Sequence, residues 1–333
     1  MLQLKRLSAD KEILIMTLDA NIISRTDAEA LIPMEYSREI IQNIPQRSKL
    51  LPLMRRLPNM SSKQRTLPVL SALPSAYFLN GDTDTKKTTK AEWDKLVLTA
   101  EELAVIVPIP EAVLDDASYD IWGEIKPQIE EAFGIAIDAA VLNGTNKPTS
   151  WPTAIIPGAE AAGNTVEVGT NKDLASDIIG AGGLMDLVES DGYRVNAFFG
   201  AGAFEAQLRD LRTTDNGFLY IPSMTSGVPS TILGKPVQYD NQGIFDTDEA
   251  LMVAGDFTKA VYSIRQDMTY KVLTEAVIQN TDGTIAYNLA QQDMVALRCV
   301  MRLGVQIANP ITRANATNST RYPFAVLTPK SST

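Results

Sequence analysis

Residues 118–144 constrain this chain more than any other stretch. Ile121, Ile125, Ile129, Phe133, Ile137 and Val141 recur at an unbroken spacing of four, a stripe that winds slowly around one helix. The pattern predicts a helix of ~39 Å, capped by Ser118, with Asp115, Asp116 and Asp120 favourable at its positive end and Asn143-Gly144 as a left-handed stop. Pro127 lies within it, where a kink is expected. Just upstream, Trp93, Leu96 and Leu98, then Val105, Val107 and Ile109, follow the period of a half-exposed strand. An extended arm leading into one long helix suits a tile that hooks onto neighbours better than it suits an enzyme pocket.

The chain contains no histidine. Ser-His-Asp triads, Cys-His pairs and His-ligated metals are therefore excluded. The one cysteine, Cys299, rules out an internal disulfide framework and a cysteine zinc site, and reads as a small core residue of a strand. Glu124, Glu130, Glu131 and Asp138 read as a solvated helix face rather than a metal site. The glycines at 180, 182, 183, 200 and 202 complete neither phosphate-loop pattern and read as close packing at turns. No catalytic, cofactor-binding or metal site is predicted. No apolar run reaches membrane-spanning length, and Lys11, Glu12 and Asp19 break the N-terminal apolar run, so neither a membrane helix nor a cleavable signal is expected.

Charge is segregated. Residues 40–81 hold six basic residues (Arg47, Lys49, Arg55, Arg56, Lys63, Arg65) and no acid, and five follow Asp293, again with no acid. The chain's net charge of −10 leaves −19 on residues 82–293. Basic segments of one copy are thus complementary to acidic faces of another, and tight binding to nucleic-acid phosphates is not expected.

Along the chain, Thr26 and Glu29 mark a helix start, and helical pattern runs, interrupted at Pro33, to Pro45. SKLLPLMRRL follows as a basic amphipathic piece, kept short by Pro52 and Pro58. Residues 65–110 read as two strands joined at Asn80-Gly81-Asp82-Thr83-Asp84, a hairpin of ~50 Å that must project from the body and be covered from outside. A loop-rich crossing (145–172), one helix (173–189), the buried strand RVNAFFG and a helix ending at Asn216-Gly217 come next. Strands and turns fill the rest: TILGKPVQYD, ALMVAGDF, AVYSIRQDMTYKVLTEAVIQ and TIAYNLAQQDMVALRCVMRLGVQI.

In their order and spacing, IPMEYSREIIQNIPQRSKLLPLMRRL, AEWDKLVLTAEELAVIVPIPEAVLDDASYDIWGEIKPQIEEAFGIAIDAAVLNGTNKPTSWP, LGKPVQYD, AGDFTKAVYSIRQDM and QDMVALRCVMRLGVQIANP resemble the major capsid proteins of tailed bacteriophages, with the HK97-type α+β fold. The resemblance spans about Ile32 to Pro310. It implies an N-terminal arm (1–59), an extended E-loop hairpin (60–100), a P-domain with a spine helix (101–179), an A-domain (180–285), and returning P-domain strands with a C-terminal tail (286–333).

It further implies self-assembly into pentamers and hexamers that form an icosahedral shell around phage DNA, in a virion assembled in the host cytoplasm. Arg47, Lys49, Arg55, Arg56, Asn80, Gly81, Lys86, Lys87, Lys90 and Trp93 are the expected inter-subunit contacts, and Pro127 and the stretch Leu98–Glu101 the expected hinges. The arm begins within a few dozen residues of Met1, so assembly is expected to use a separate scaffold protein or none; portal and decoration proteins are the other partners the resemblance implies. Lysine–asparagine crosslinking between subunits, for which Lys86, Lys87, Lys90 or Lys95 and Asn309, Asn315 or Asn318 would serve, is not expected, because no acid follows Asp293. The alternatives are an encapsulin-like compartment shell and, in a different class, a carboxylate or metal-dependent hydrolase built on Asp115, Asp116 and Asp120.

Overall fold

The structure, a computed structural model, describes residues 48–78, 85–117, 120–210 and 230–330, with the backbone alone of residues 220 and 221. The arm reading as far as residue 47, with the helix start at Thr26 and Arg47, the Asn80–Asp84 tip, the Ser118 cap and the Asn216-Gly217 stop lie outside the described residues.

A four-stranded sheet runs in the order Arg55–Arg56, Ala260–Leu273, Met294–Ile307, Glu101–Pro110. The first pair is parallel and the others antiparallel. Met294–Ile307 is central and buried along most of its length, which accounts for its near-continuous apolar run. Leu297, Cys299, Met301, Leu303, Val305 and Ile307 alternate along it and share one core with Ile129, Phe133 and Ile137 of the long helix.

A seven-stranded sheet has the order Thr165–Glu167, Phe324–Thr328, Met252–Gly255, Ala197–Ala201, Lys235–Asp240, Thr231–Ile232, Tyr220–Ile221. Every residue of Met252–Gly255 and Ala197–Ala201 is buried, so these strands read as uninterrupted hydrophobic runs. Leu233 and Gly234 join two strands of this sheet with φ of 48° and 75°, the left-handed pair that a tight two-residue hairpin turn requires.

The long helix spans Ile121–Leu142, or ~33 Å. Ile129, Phe133, Ile137 and Val141 are buried as the stripe predicts, while Ile121 and Ile125 are half-buried. Its start differs from expectation. Asp120 occupies the cap position without a side-chain bond, and a separate short helix, Glu111–Asp116, precedes it.

The expected two-stranded hairpin is three strands. Gln64–Ala72 pairs with Glu92–Thr99 as a ribbon, and after Ala100 the chain enters the four-stranded sheet as Glu101–Pro110. The apolar alternation runs through both segments, so periodicity alone does not reveal the change of partner. Nor is the ribbon wholly projecting: Ile311 N–H donates to Leu70 O at 3.0 Å and Gln306 Nε2 to Val97 O at 3.0 Å. At its base Leu98, Thr99 and Ala100 are buried, and Ala100 N–H is bonded to Lys63 O at 2.8 Å.

Two further expectations are corrected. The single helix over 173–189 is two, Leu174–Ile179 and Leu184–Ser190, broken where Gly182 takes φ 72°. The amphipathic piece SKLLPLMRRL forms a turn that buries Leu50 and Met54, followed by the short strand Arg55–Arg56.

Candidate functional site

The ribbon gathers most of the expected contact residues that the structure describes. Trp93, opposite Leu70, is 64 % exposed, and Phe78 is 99 % exposed. Lys86, Lys87 and Lys90 are also exposed. Lys87 Nζ sits 5.6 Å from the Tyr77 ring centroid, and the Tyr77 hydroxyl donates to Lys87 O at 2.8 Å, which ties the two ribbon arms together. Lys90 pairs with Glu92. Arg55 and Arg56 are exposed on an edge strand, while Lys49 is half-buried beside the long helix. Tyr77 and Phe78 were not singled out by sequence; their position beside the Asn-Gly turn was the available signal.

A groove of about 450 Å³ lies against the long helix, lined by Ile135, Ala136, Ala139, Trp151, Leu303 and Glu101 among others. Sequence reading did not find it, because its lining comes from four separate stretches of chain.

The solvated-face reading fails at Asp138, which is fully buried. Its carboxylate accepts from Ser48 Oγ (2.5 Å), Lys49 N–H (2.7 Å) and Leu50 N–H (3.3 Å). Burial pushes its pKa up, against those hydrogen bonds, and the Asp240 carboxylate pushes the same way. Glu124, Glu130 and Glu131 are half-buried, and Glu131 accepts from Gln242 Nε2 at 3.4 Å.

Asp115, Asp116 and Asp120 are exposed, and among the described residues no group of three His, Cys, Asp or Glu side chains is placed to hold a metal ion. The close-packing reading of the glycines holds at Gly202, where a Cβ would meet Asn241 Oδ1 at 2.4 Å and Asp240 O at 2.7 Å. Among the described residues no helix is long and apolar enough to cross a membrane. Asn309 and Asn315 are engaged within the subunit, Asn309 with Tyr193 and Arg321, Asn315 with Asp191.

Residues 28–312 match the description of the Phage capsid family. The chain belongs to the phage capsid family. It is 27% identical over 296 residues to the major capsid protein of Staphylococcus phage 80alpha, covering 87% of this chain and 85% of that protein. A structure from Microbacterium phage Oxtober96 superposes with a TM-score of 0.79 at 39% identity, over 92% of this chain and 99% of its own. One from Mycobacterium phage Cain gives 0.79 at 30% identity, over 94% and 100%.

The fold is accordingly HK97-like, and the function structural: copies self-assemble into the icosahedral shell of a phage capsid.

Proposed function

We propose that the subunit joins its neighbours mainly through the ribbon, as an E-loop, closing into rings of five and six that tile a phage head around double-stranded DNA. The carrying observation is Trp93, left 64 % exposed on a two-stranded ribbon. Eight residues of extended chain, ~26 Å, separate it from Glu101 at the groove on the long helix. While Glu92–Thr99 stays paired, Trp93 cannot turn back into its own groove, so a second copy is the natural cover. A ribbon-to-neighbour contact is heterologous, and such contacts close into rings when the rotation permits.

In this reading residues 1–59 form the arm, 60–100 the E-loop, 101–179 the P-domain around the long helix, and 180–285 the A-domain nearest the ring axes. Residues 286–333 return to the P-domain. The pairing of Ala260–Leu273 with Met294–Ile307 joins the last part of the 180–285 segment to the returning strands. Arg47, Lys49, Arg55, Arg56, Lys86, Lys87 and Lys90 meet acidic faces of neighbouring copies, Asn80 and Gly81 turn the E-loop tip, and Pro127 accommodates the two ring curvatures. DNA is enclosed without sequence-specific contacts. The assembled protein resides in the virion.

Size-exclusion chromatography with negative-stain microscopy tests the reading. The parent chain is expected to give closed shells or five- and six-membered rings, and a Phe78→Ser/Trp93→Ala variant to remain folded but unassembled. A variant that assembles in full yield removes the ribbon from the mechanism.

A further inference from the structure

Ser48–Leu50, the first described residues of the chain, meet the long helix at a buried acid. Asp138 lies on the long helix, 90 positions from Ser48. Its Oδ2 accepts both the Lys49 and Leu50 N–H groups, and its Oδ1 receives the Ser48 hydroxyl. Ser48 Oγ in turn accepts from Leu51 N–H at 3.0 Å. Leu50 is completely buried just beyond these bonds, and its carbonyl accepts from Leu53 and Met54 N–H, so the turn is closed on itself.

The bonding pattern accommodates either protonation state. A carboxyl carrying its proton on Oδ1 would donate to Ser48 Oγ and keep Oδ2 as the acceptor of both backbone N–H groups. The ionised form keeps the same partners but buries a full charge. Asp240, at the end of Lys235–Asp240, disfavours that charge, and Lys49 contributes its backbone N–H. Glu131, on the same helix as Asp138, is held by Gln242.

We infer that Asp138 is a positioning residue for assembly: it seats the root of the N-terminal segment on the long helix, and the seat holds more tightly when its carboxyl is protonated. The inference rests on the proposed role of the N-terminal segment in joining subunits. Burial supports the sign. A carboxyl whose pKa is raised in the closed seat favours closure at acid pH, and loses that advantage as pH rises through the raised value.

Amide hydrogen exchange on the full chain tests this, with protection factors followed at Lys49 and Leu50 and at the central strand Met252–Gly255 as an internal reference. In the parent, protection at Lys49 and Leu50 is expected to be lost progressively as pH rises from acid to neutral, while the reference strand stays constant. Asp138→Asn can offer its carbonyl to both N–H groups and its NH2 to Ser48 Oγ, so its protection should remain high and lose the pH dependence. Asp138→Ala should lose protection at Lys49 and Leu50 at every pH and give a reduced shell yield. A flat profile in the parent, or the same pH profile in Asp138→Asn, overturns the proton dependence. Normal shell yield from Asp138→Ala with Lys49 and Leu50 unprotected overturns the role in assembly. If the parent itself forms no shells, the assembly reading fails separately, and the exchange profiles still decide the seat.

Discussion

Gly158 lies directly over the hydroxyl of Tyr322: a Cβ at position 158 would come 2.4 Å from Tyr322 Oη and 2.5 Å from Cζ. The glycine sits inside the helix Ile155–Ala162, which packs on the strand Phe324–Thr328 that follows Tyr322. The Tyr322 ring in turn rests against Phe324 at 5.8 Å between centroids.

Gly158→Ala should therefore destabilise the fold by roughly 1–3 kcal/mol, despite the ~1 kcal/mol that alanine normally adds to a helix over glycine. Urea unfolding checks this, with a lowered midpoint at unchanged slope expected. A raised midpoint would show that the ring yields freely.

Trp93→Ala should separate assembly from folding. The side chain is mostly exposed, so stability should change by no more than about 0.5 kcal/mol. A buried aromatic at an interface commonly contributes about 2 kcal/mol or more, so shell yield should fall sharply while the melting curve is unchanged. A melting transition that drops with the yield would place Trp93 in the fold rather than at an interface.

Pro127 lies in the first third of the long helix and removes a backbone donor there. Pro127→Ala is expected to raise the unfolding midpoint, by up to about 3 kcal/mol of helix propensity, and to narrow the range of shell sizes seen by microscopy. Unchanged sizes and yield would leave Pro127 without a role in curvature.

Tyr193 gives a pH prediction. Its hydroxyl lies within donating distance of Pro310 O (2.7 Å) and Asn309 Oδ1 (2.8 Å), which share its one proton, and burial pushes its pKa up to about 12. Because the folded value lies above the unfolded one, near 10, its stabilisation is whole below about pH 10 and is lost as pH rises through about 12. Ultraviolet titration should show a late tyrosinate step coinciding with unfolding. Tyr193→Phe should remove that step and cost about 1–2 kcal/mol at neutral pH. A late step that persists in the variant would assign it to another tyrosine.

Much of the frame was legible in the residues. The four-residue stripe from Ile121 to Val141 marked the long helix, because a helix buried along one side must repeat near its own turn. RVNAFFG marked a buried strand and ALMVAGDF a strand whose burial was not read, and Cys299 proved to be the core residue its apolar neighbours suggested. The ribbon was legible as extended and exposed, and Trp93 as a contact candidate on it.

What stayed hidden has one common cause, long-range pairing. Alternation from Trp93 to Ile109 states that the chain is extended but not that it changes partner at Ala100, since both partners reward the same period. Asp138 looks like any acid on a helix, and only the arrival of Ser48 from 90 positions away makes it a buried acceptor of three hydrogen bonds. The groove beside Trp151 exists only once the helix, the strands and the loop are brought together. Local sequence determined which segments are helical, extended or turning, because those preferences are settled within a few residues. The tertiary structure alone decided which acid is buried, which strand leaves the ribbon and which apolar surface stays uncovered, because burial and pairing depend on what the distant chain supplies.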